Sequence, residues 1–181
     1  GASLWVFRPW ESLKPIDRVA EAEAEATASH TASRAKLAAF GVGPNDFEMF
    51  TGRHIARQTF DKTKREQLKT EALTGDPAVL ALRCAVDLWA TEDGLPDWEG
   101  ARESCASAAD AGESAAHVYY GQLLTESAAY AGSDSELAGL DASSASEFRK
   151  AAEKGFGWGE VEYGWRLREG RGVPTDKGAA E

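Results

Sequence analysis

Ala108-Ala109-Asp110-Ala111-Gly112 and Ala151-Ala152-Glu153-Lys154-Gly155 are runs of small, helix-forming residues that each close on a glycine, and Glu71-Ala72-Leu73 leads into Gly75 in the same way. Four residues past each glycine stands Val79, Ala116 or Gly159, and nine past it Cys84, Gly121 or Gly164. Successive glycines lie 37 and 43 residues apart, a period found in arrays of structural repeats. A unit of two helices cannot bury its own apolar face, so it has to stack on its neighbours. The spacing therefore predicts an all-α chain of stacked helix-turn-helix hairpins, an α-solenoid and a binding scaffold.

The remaining sequence fits around that frame. Pro15 opens a helix predicted to run to Phe40; its Glu-Ala repeats form helix readily but offer little apolar face, so it reads as solvated. Gly41-Val42-Gly43-Pro44 stops it, and Asn45 with Glu48 makes a capping box for a second helix, Asp46 to Gln58, carrying Phe47, Met49, Phe50 and Ile55. A third helix runs from Thr63 to Leu73, with Leu68, Ala72 and Leu73 as its apolar residues. Gly43 begins a shorter unit, 32 residues before Gly75. The next hairpin spans Pro77–Thr91, a turn at 92–96, and a helix capped by Asp97 that ends near Ala111. The unit after it pairs Ser114–Ser127 with Ser143–Lys154, and the Ala/Gly/Ser/Asp stretch Ala128–Ala142 between them reads as a mobile loop. A last helix, Trp158–Glu169, is followed by Gly170 and Gly172, suited to positive φ, and by Asp176 as a cap. The partner helix has no room before Glu181, so this unit is expected to be cut short. The resulting division is 1–42 for an N-terminal aromatic segment and polar helix, then units 43–74, 75–111, 112–154 and an incomplete 155–181.

One unit carries a recognisable motif. Ala151-Ala152-Glu153-Lys154-Gly155, Tyr163-Gly164, Leu167, Glu169-Gly170-Arg171-Gly172-Val173-Pro174, Asp176 and Ala180 resemble a Sel-1-like repeat, a relative of the tetratricopeptide repeat. The Gly112 unit matches at Ala116, Tyr120-Gly121, Leu124, Phe148 and Ala151-Ala152, with an insertion in place of the turn. The Gly75 unit departs further: Arg83-Cys84 stands where Leu-Gly is expected, and its turn keeps only Gly94 and Asp97. The likeness covers about residues 75–181 well and 43–74 weakly. It implies an α-solenoid that binds other proteins, often in bacterial envelopes or quality-control complexes, with no catalytic residues and no cofactor to carry over.

Helical geometry separates two arcs of each first helix at 100° per residue. Offsets four, five, eight, nine and twelve from the glycine form the packed arc. The opposite arc holds Ala78, Ala81, Ala85, Leu88 and Trp89; then Ala115, Val118, Gln122, Thr125 and Glu126; then Trp158, Val161, Trp165, Arg168 and Glu169. From these, Trp89, Val118, Gln122, Trp158, Val161, Trp165 and Arg168 are the candidate partner-binding residues, since aromatic side chains on a concave face are common anchors. The alternative is that Trp158 and Trp165 pack on a following helix or on the N-terminal segment.

Cys84 and Cys105 are equidistant from the turn at Gly94-Leu95, so antiparallel packing sets them level and open to a disulfide in an oxidising compartment. In a reducing cytosol they would be two small buried thiols. His30, His54 and His117 have no second ligand at helical spacing, which argues against a metal site. No nucleophile elbow, P-loop or dinucleotide fingerprint is present, and an enzyme is not expected. The formal charge of −10 disfavours nucleic acid and anionic membranes, and favours a basic protein partner. No run is long and apolar enough to span a bilayer. Gly1-Ala2-Ser3 reads as a processing remnant, and Leu4-Trp5-Val6-Phe7-Arg8-Pro9-Trp10 either as the edge of a membrane anchor before residue 1 or as a strap on the first helices. The sequence thus predicts a non-catalytic scaffold or adaptor that binds a protein or peptide, expected to be the exported, periplasmic part of a bacterial envelope protein. The competing expectations are an acidic inhibitor or immunity protein that neutralises a basic toxin or enzyme, and a cytoplasmic location.

Overall fold

The computed structural model describes residues 15–43, 46, 60–89 and 97–180, with side chains from residue 24 onward. Among these residues the chain is all-α: seven α-helices and one 3-10 segment, with no strand. They are α1 Pro15–Ala35, α2 Lys62–Ala72, α3 Pro77–Trp89, α4 Trp98–Asp110, α5 Ser114–Ala128, α6 Asp134–Glu153 and α7 Gly157–Glu169, and α1 tightens into the 3-10 turn Lys36–Phe40. Of the predicted helix Asp46–Gln58 only Asp46 is described, and the turn at 92–96 and the aromatic segment before Pro15 lie outside the described residues.

The helix starts are written in the local chemistry. Asp61 accepts the Lys64 amide at 2.9 Å to begin α2, and Asp97 accepts the Gly100 amide at 3.0 Å to begin α4. Each satisfies one of the four amides that a helix N-terminus leaves unpaired. Pro77 sits in the first turn of α3, where its missing N–H is harmless, behind Asp76, which accepts from Val79. At the other ends, Gly75, Gly112 and Gly155 have φ of 75°, 91° and 71°. These are left-handed values that glycine adopts without strain, so the three repeated glycines do stop helices.

The stretch Ala128–Ala142 is a correction to the expected loop. Only about five residues connect α5 to α6, and Asp134–Ala142 is already helix. Ser133 accepts the Glu136 amide at 3.2 Å, and the Glu136 carboxylate reaches back to the Gly132 amide at 2.8 Å. This reciprocal cap outweighs the small-residue composition that suggested a loop. Leu73 is a second correction. It lies just past the end of α2 and is 83% exposed, while Leu68 and Ala72 are buried.

Helices α2 to α7 pack in chain order, most closely as the pairs α3–α4 and α5–α6. Helices α1, α3, α5 and α7 also touch in series and so form one row. The core runs through that row and is rich in alanine: Ala78, Ala81, Ala85, Ala101, Ala108, Ala115 and Ala116 are each inaccessible to solvent. Small side chains let the helices approach closely. A Cβ added at Gly121 would come within 2.8 Å of the Phe148 ring, and one at Gly159 would fall on the Ala151 methyl. Cys84 and Cys105 are bridged by a disulfide between α3 and α4, with Cα atoms 4.7 Å apart.

Helix α1 is solvated over residues 24–32, as its composition predicts, but its C-terminal end is tied down. Arg34 donates to Glu113 at 2.7 Å in a pair that is almost wholly buried, and Glu113 caps α5. Ser33 accepts the Ala78 amide and donates to Asp76, which also takes Lys36. These contacts cross 40 to 79 residues of sequence. No described helix is long and apolar enough to cross a membrane.

Candidate functional site

The row of α1, α3, α5 and α7 leaves one groove of about 620 Å³ where the C-terminal halves of α3, α5 and α7 meet. Trp89 comes from α3, Gln122 from α5, and Val161 and Trp165 from α7. The structure therefore brings together four of the seven residues selected from the helical arcs. Val161 is 64% and Trp165 39% exposed. The Trp89 ring is held edge-on against Tyr119, with centroids 5.4 Å apart.

The other three candidates stand elsewhere. Val118 is 1% exposed and belongs to the core, a correction whose cause is the interior position of α5, which has helices packed around it. The same holds for Ala78, Ala81, Ala85 and Leu88, so the arc opposite the packed one is itself covered over most of α3. Trp158 is 42% exposed on α7 but does not line the groove. Arg168 points outward and pairs with its neighbour Glu169 at 3.0 Å.

Arg166 is the residue that helical arcs missed. It falls between them, yet it is 1% exposed and forms the floor of the groove with Phe148. Its guanidinium sits 5.1 Å from the Phe148 ring centroid and 5.6 Å from that of Trp165, distances at which a cation is attracted to the ring face. It donates from one Nη to Thr125 Oγ1, and the other Nη stands 3.6 Å from Asp141. Arg171, from the Gly170-Arg171-Gly172 turn, donates to the same Asp141 at 2.8 Å. That turn carries two positive φ values and lies against α6 so closely that a Cβ at Gly172 would strike the Asp141 carbonyl.

Polar atoms buried in the residues that line the groove are incompletely paired. Trp89 Nε1, Gln122 Oε1 and both Nε and Nη1 of Arg166 are buried without a hydrogen-bond partner. Each such atom costs about 1–3 kcal/mol relative to a satisfied one. Burial raises the Glu162 carboxyl above its ordinary range, with Arg166 acting in the opposite sense. Burial likewise lowers Arg166, helped by Arg171 and opposed by Asp141 and Glu162. The groove thus has aromatic and aliphatic walls over a buried arginine that is ion-paired to Asp141.

The described histidines are spent on structure. His117 bonds Glu147 at 2.8 Å between α5 and α6, and His30 lies 3.8 Å from Glu113. Among the described residues no cluster of three or more His, Cys, Asp or Glu side chains is placed to hold a metal ion. No protein-family model, curated protein or solved structure matches the chain, which stands as an all-α protein of seven described helices packed in sequential pairs.

Proposed function

We propose that this chain is a Sel-1-like repeat protein acting as a non-catalytic interaction scaffold, and that the groove between α3, α5 and α7 takes a segment of a protein partner. The observation that carries this reading is the convergence of Trp89, Gln122, Val161 and Trp165 from three helices, α3, α5 and α7, on one groove. A surface assembled from three helices, with the exposed Trp165 and Val161 on one wall, suits a partner segment long enough to touch all three. The Cys84–Cys105 bridge supports maturation in an oxidising compartment, in keeping with a periplasmic or otherwise extracytoplasmic site of action.

The test uses a random-peptide display library screened on the whole chain, followed by affinity measurement of the selected peptides. Trp165→Ala is expected to weaken binding by about 2 kcal/mol, the usual loss at an aromatic anchor. Its stability should fall by clearly less than the ~3–5 kcal/mol that a core tryptophan would cost. Peptides that bind Trp165→Ala as tightly as the parent would overturn the assignment of the groove.

A further inference from the structure

We propose that this chain pairs with a second copy of itself through the outer stripe of α7, Trp158, Val161, Trp165 and Arg168, the two helices running antiparallel about a twofold axis level with Tyr163. In that register Trp158 of each copy faces Arg168 of the other, and Val161 faces Trp165. The inference goes beyond the reading of the groove and does not rest on it, although Val161 and Trp165 belong to both.

The stripe carries the inference. Helix α7 packs on α6 and α5, buries Gly159 and Arg166, and turns its opposite side to solvent. On that side all four residues of the stripe are exposed. They follow one another at steps of three, four and three residues, the spacing of a seam that pairs two helices along one narrow line. The steps read the same in either direction, so an antiparallel copy stays in register along the whole stripe. A twofold contact requires that one residue meet a second and that the second meet the first in return. The side chains suit that exchange: the Arg168 guanidinium is a cation for the Trp158 ring face, and Val161 is a small apolar neighbour for Trp165. Parallel pairing would instead set Arg168 against Arg168. The flanks agree with the antiparallel choice. Helix α7 starts at Phe156 with no side-chain cap, and the register brings Glu169 of the second copy beside Gly157 in that first turn, where a carboxylate is favoured. Arg168 is held by its own neighbour Glu169 in an exposed pair, which costs little to break. The formal charge of −10 on each copy opposes approach from a distance, but physiological salt screens it beyond about 8 Å, and the seam is a direct contact.

The experiment follows the mass of the whole chain by sedimentation velocity from about 1 to 500 μM, because a contact of one helix per copy falls in the small, transient class. The parent is expected to move from one chain toward two. Val161→Glu, at the most exposed of the three apolar positions, should weaken pairing at least about tenfold by setting a carboxylate against an apolar ring. Trp158→Lys should weaken it by about tenfold as well, since an ammonium then faces Arg168 of the second copy. Adding Arg168→Glu to Trp158→Lys should recover at least about fivefold, as two repulsive pairs become two salt bridges. Positions 158 and 168 lie about 15 Å apart along α7, too far to touch within one chain, so recovery reports a contact between copies. Far-ultraviolet circular dichroism at the dilute end of the range checks that each variant keeps its helices, and Val161→Glu decides the matter where a Trp158 variant does not. A parent that stays monomeric throughout, or a Val161→Glu chain that pairs as tightly as the parent, overturns the self-pairing and leaves the groove reading intact. A charge swap without recovery overturns the antiparallel register.

Discussion

Replacing Gly159 with alanine tests the crossing of α6 and α7 on which one wall of the groove depends. A Cβ there would fall on the Ala151 methyl and come within 2.8 Å of the Ala152 nitrogen and 2.9 Å of the Ala151 carbonyl carbon. Non-bonded carbons rest about 3.5–4.0 Å apart, so α7 has to back off by roughly 1 Å. The obstacle is backbone and a methyl group, neither of which can swing aside. Overpacking of this kind costs about 1–3 kcal/mol, while the better helix propensity of alanine returns at most about 1 kcal/mol. With that full offset the net loss is up to about 2 kcal/mol, or as much as about 8 °C in melting temperature for a chain of this length. Gly139→Ala supplies the control, because nothing lies within 4 Å of a Cβ at that position in the middle of α6. There the same substitution should add about 0.4–1 kcal/mol. Thermal and urea unfolding of both variants, followed by far-ultraviolet circular dichroism, gives opposite signs if the packing is as described. A Gly159→Ala variant as stable as Gly139→Ala would refute the close α6–α7 crossing.

Two further outcomes follow from the packing. Replacing Cys84 and Cys105 together by serine should cost about 3 kcal/mol, the loop-closure entropy of the 21-residue separation, and equilibrium unfolding with and without reductant should show the same gap in the parent chain. Burial pushes the Glu147 carboxyl up, but hydrogen bonds from His117 and Lys150 outweigh it and hold the group below its ordinary range. A depressed carboxyl contributes stability above its unfolded pKa of about 4.3 and loses it as pH falls through the lower folded value. The stability gap between the parent and Glu147→Gln should therefore narrow as pH drops from about 5 toward 3. A gap that stays constant or widens over that range would show that the His117–Glu147–Lys150 contacts do not hold the carboxyl.

What could be read from the sequence was local. Gly75, Gly112 and Gly155 end helices because a left-handed residue is cheapest as glycine, and Asp97 caps because its short carboxylate reaches the free amide three residues on. The level placement of Cys84 and Cys105 needed only an antiparallel hairpin, and the bridge follows. The start of α6 is equally legible, in Ser133-Asp134-Ser135-Glu136, where the cap outweighs the glycine and serine composition around it. Val118 and Arg166 were not legible. Helical periodicity treats a helix as having one wet side, and α5 lies inside the row with helices packed around it. Arg166 is buried because Phe148, Thr125 and Asp141, all distant in sequence, converge on it. Nor does anything in the sequence pair Arg34 with Glu113 over 79 residues.

That Arg34–Glu113 pair changes how the molecule should come apart. In a linear stack each unit answers only to its neighbours, and melting creeps inward from either end. Here a buried strut runs from α1 to the start of α5, past the disulfide-stapled α3–α4 pair that lies between them in the chain. Breaking it leaves a charge stranded indoors, which discourages piecemeal fraying. The α1–α5 portion is therefore expected to exchange its amide hydrogens as one cooperative block. Helix α7 has no comparable brace to α1 through α4 among the described contacts and should open at lower free energy. The groove would then have two walls on a firm block and a third, bearing Val161 and Trp165, on a hinge of its own.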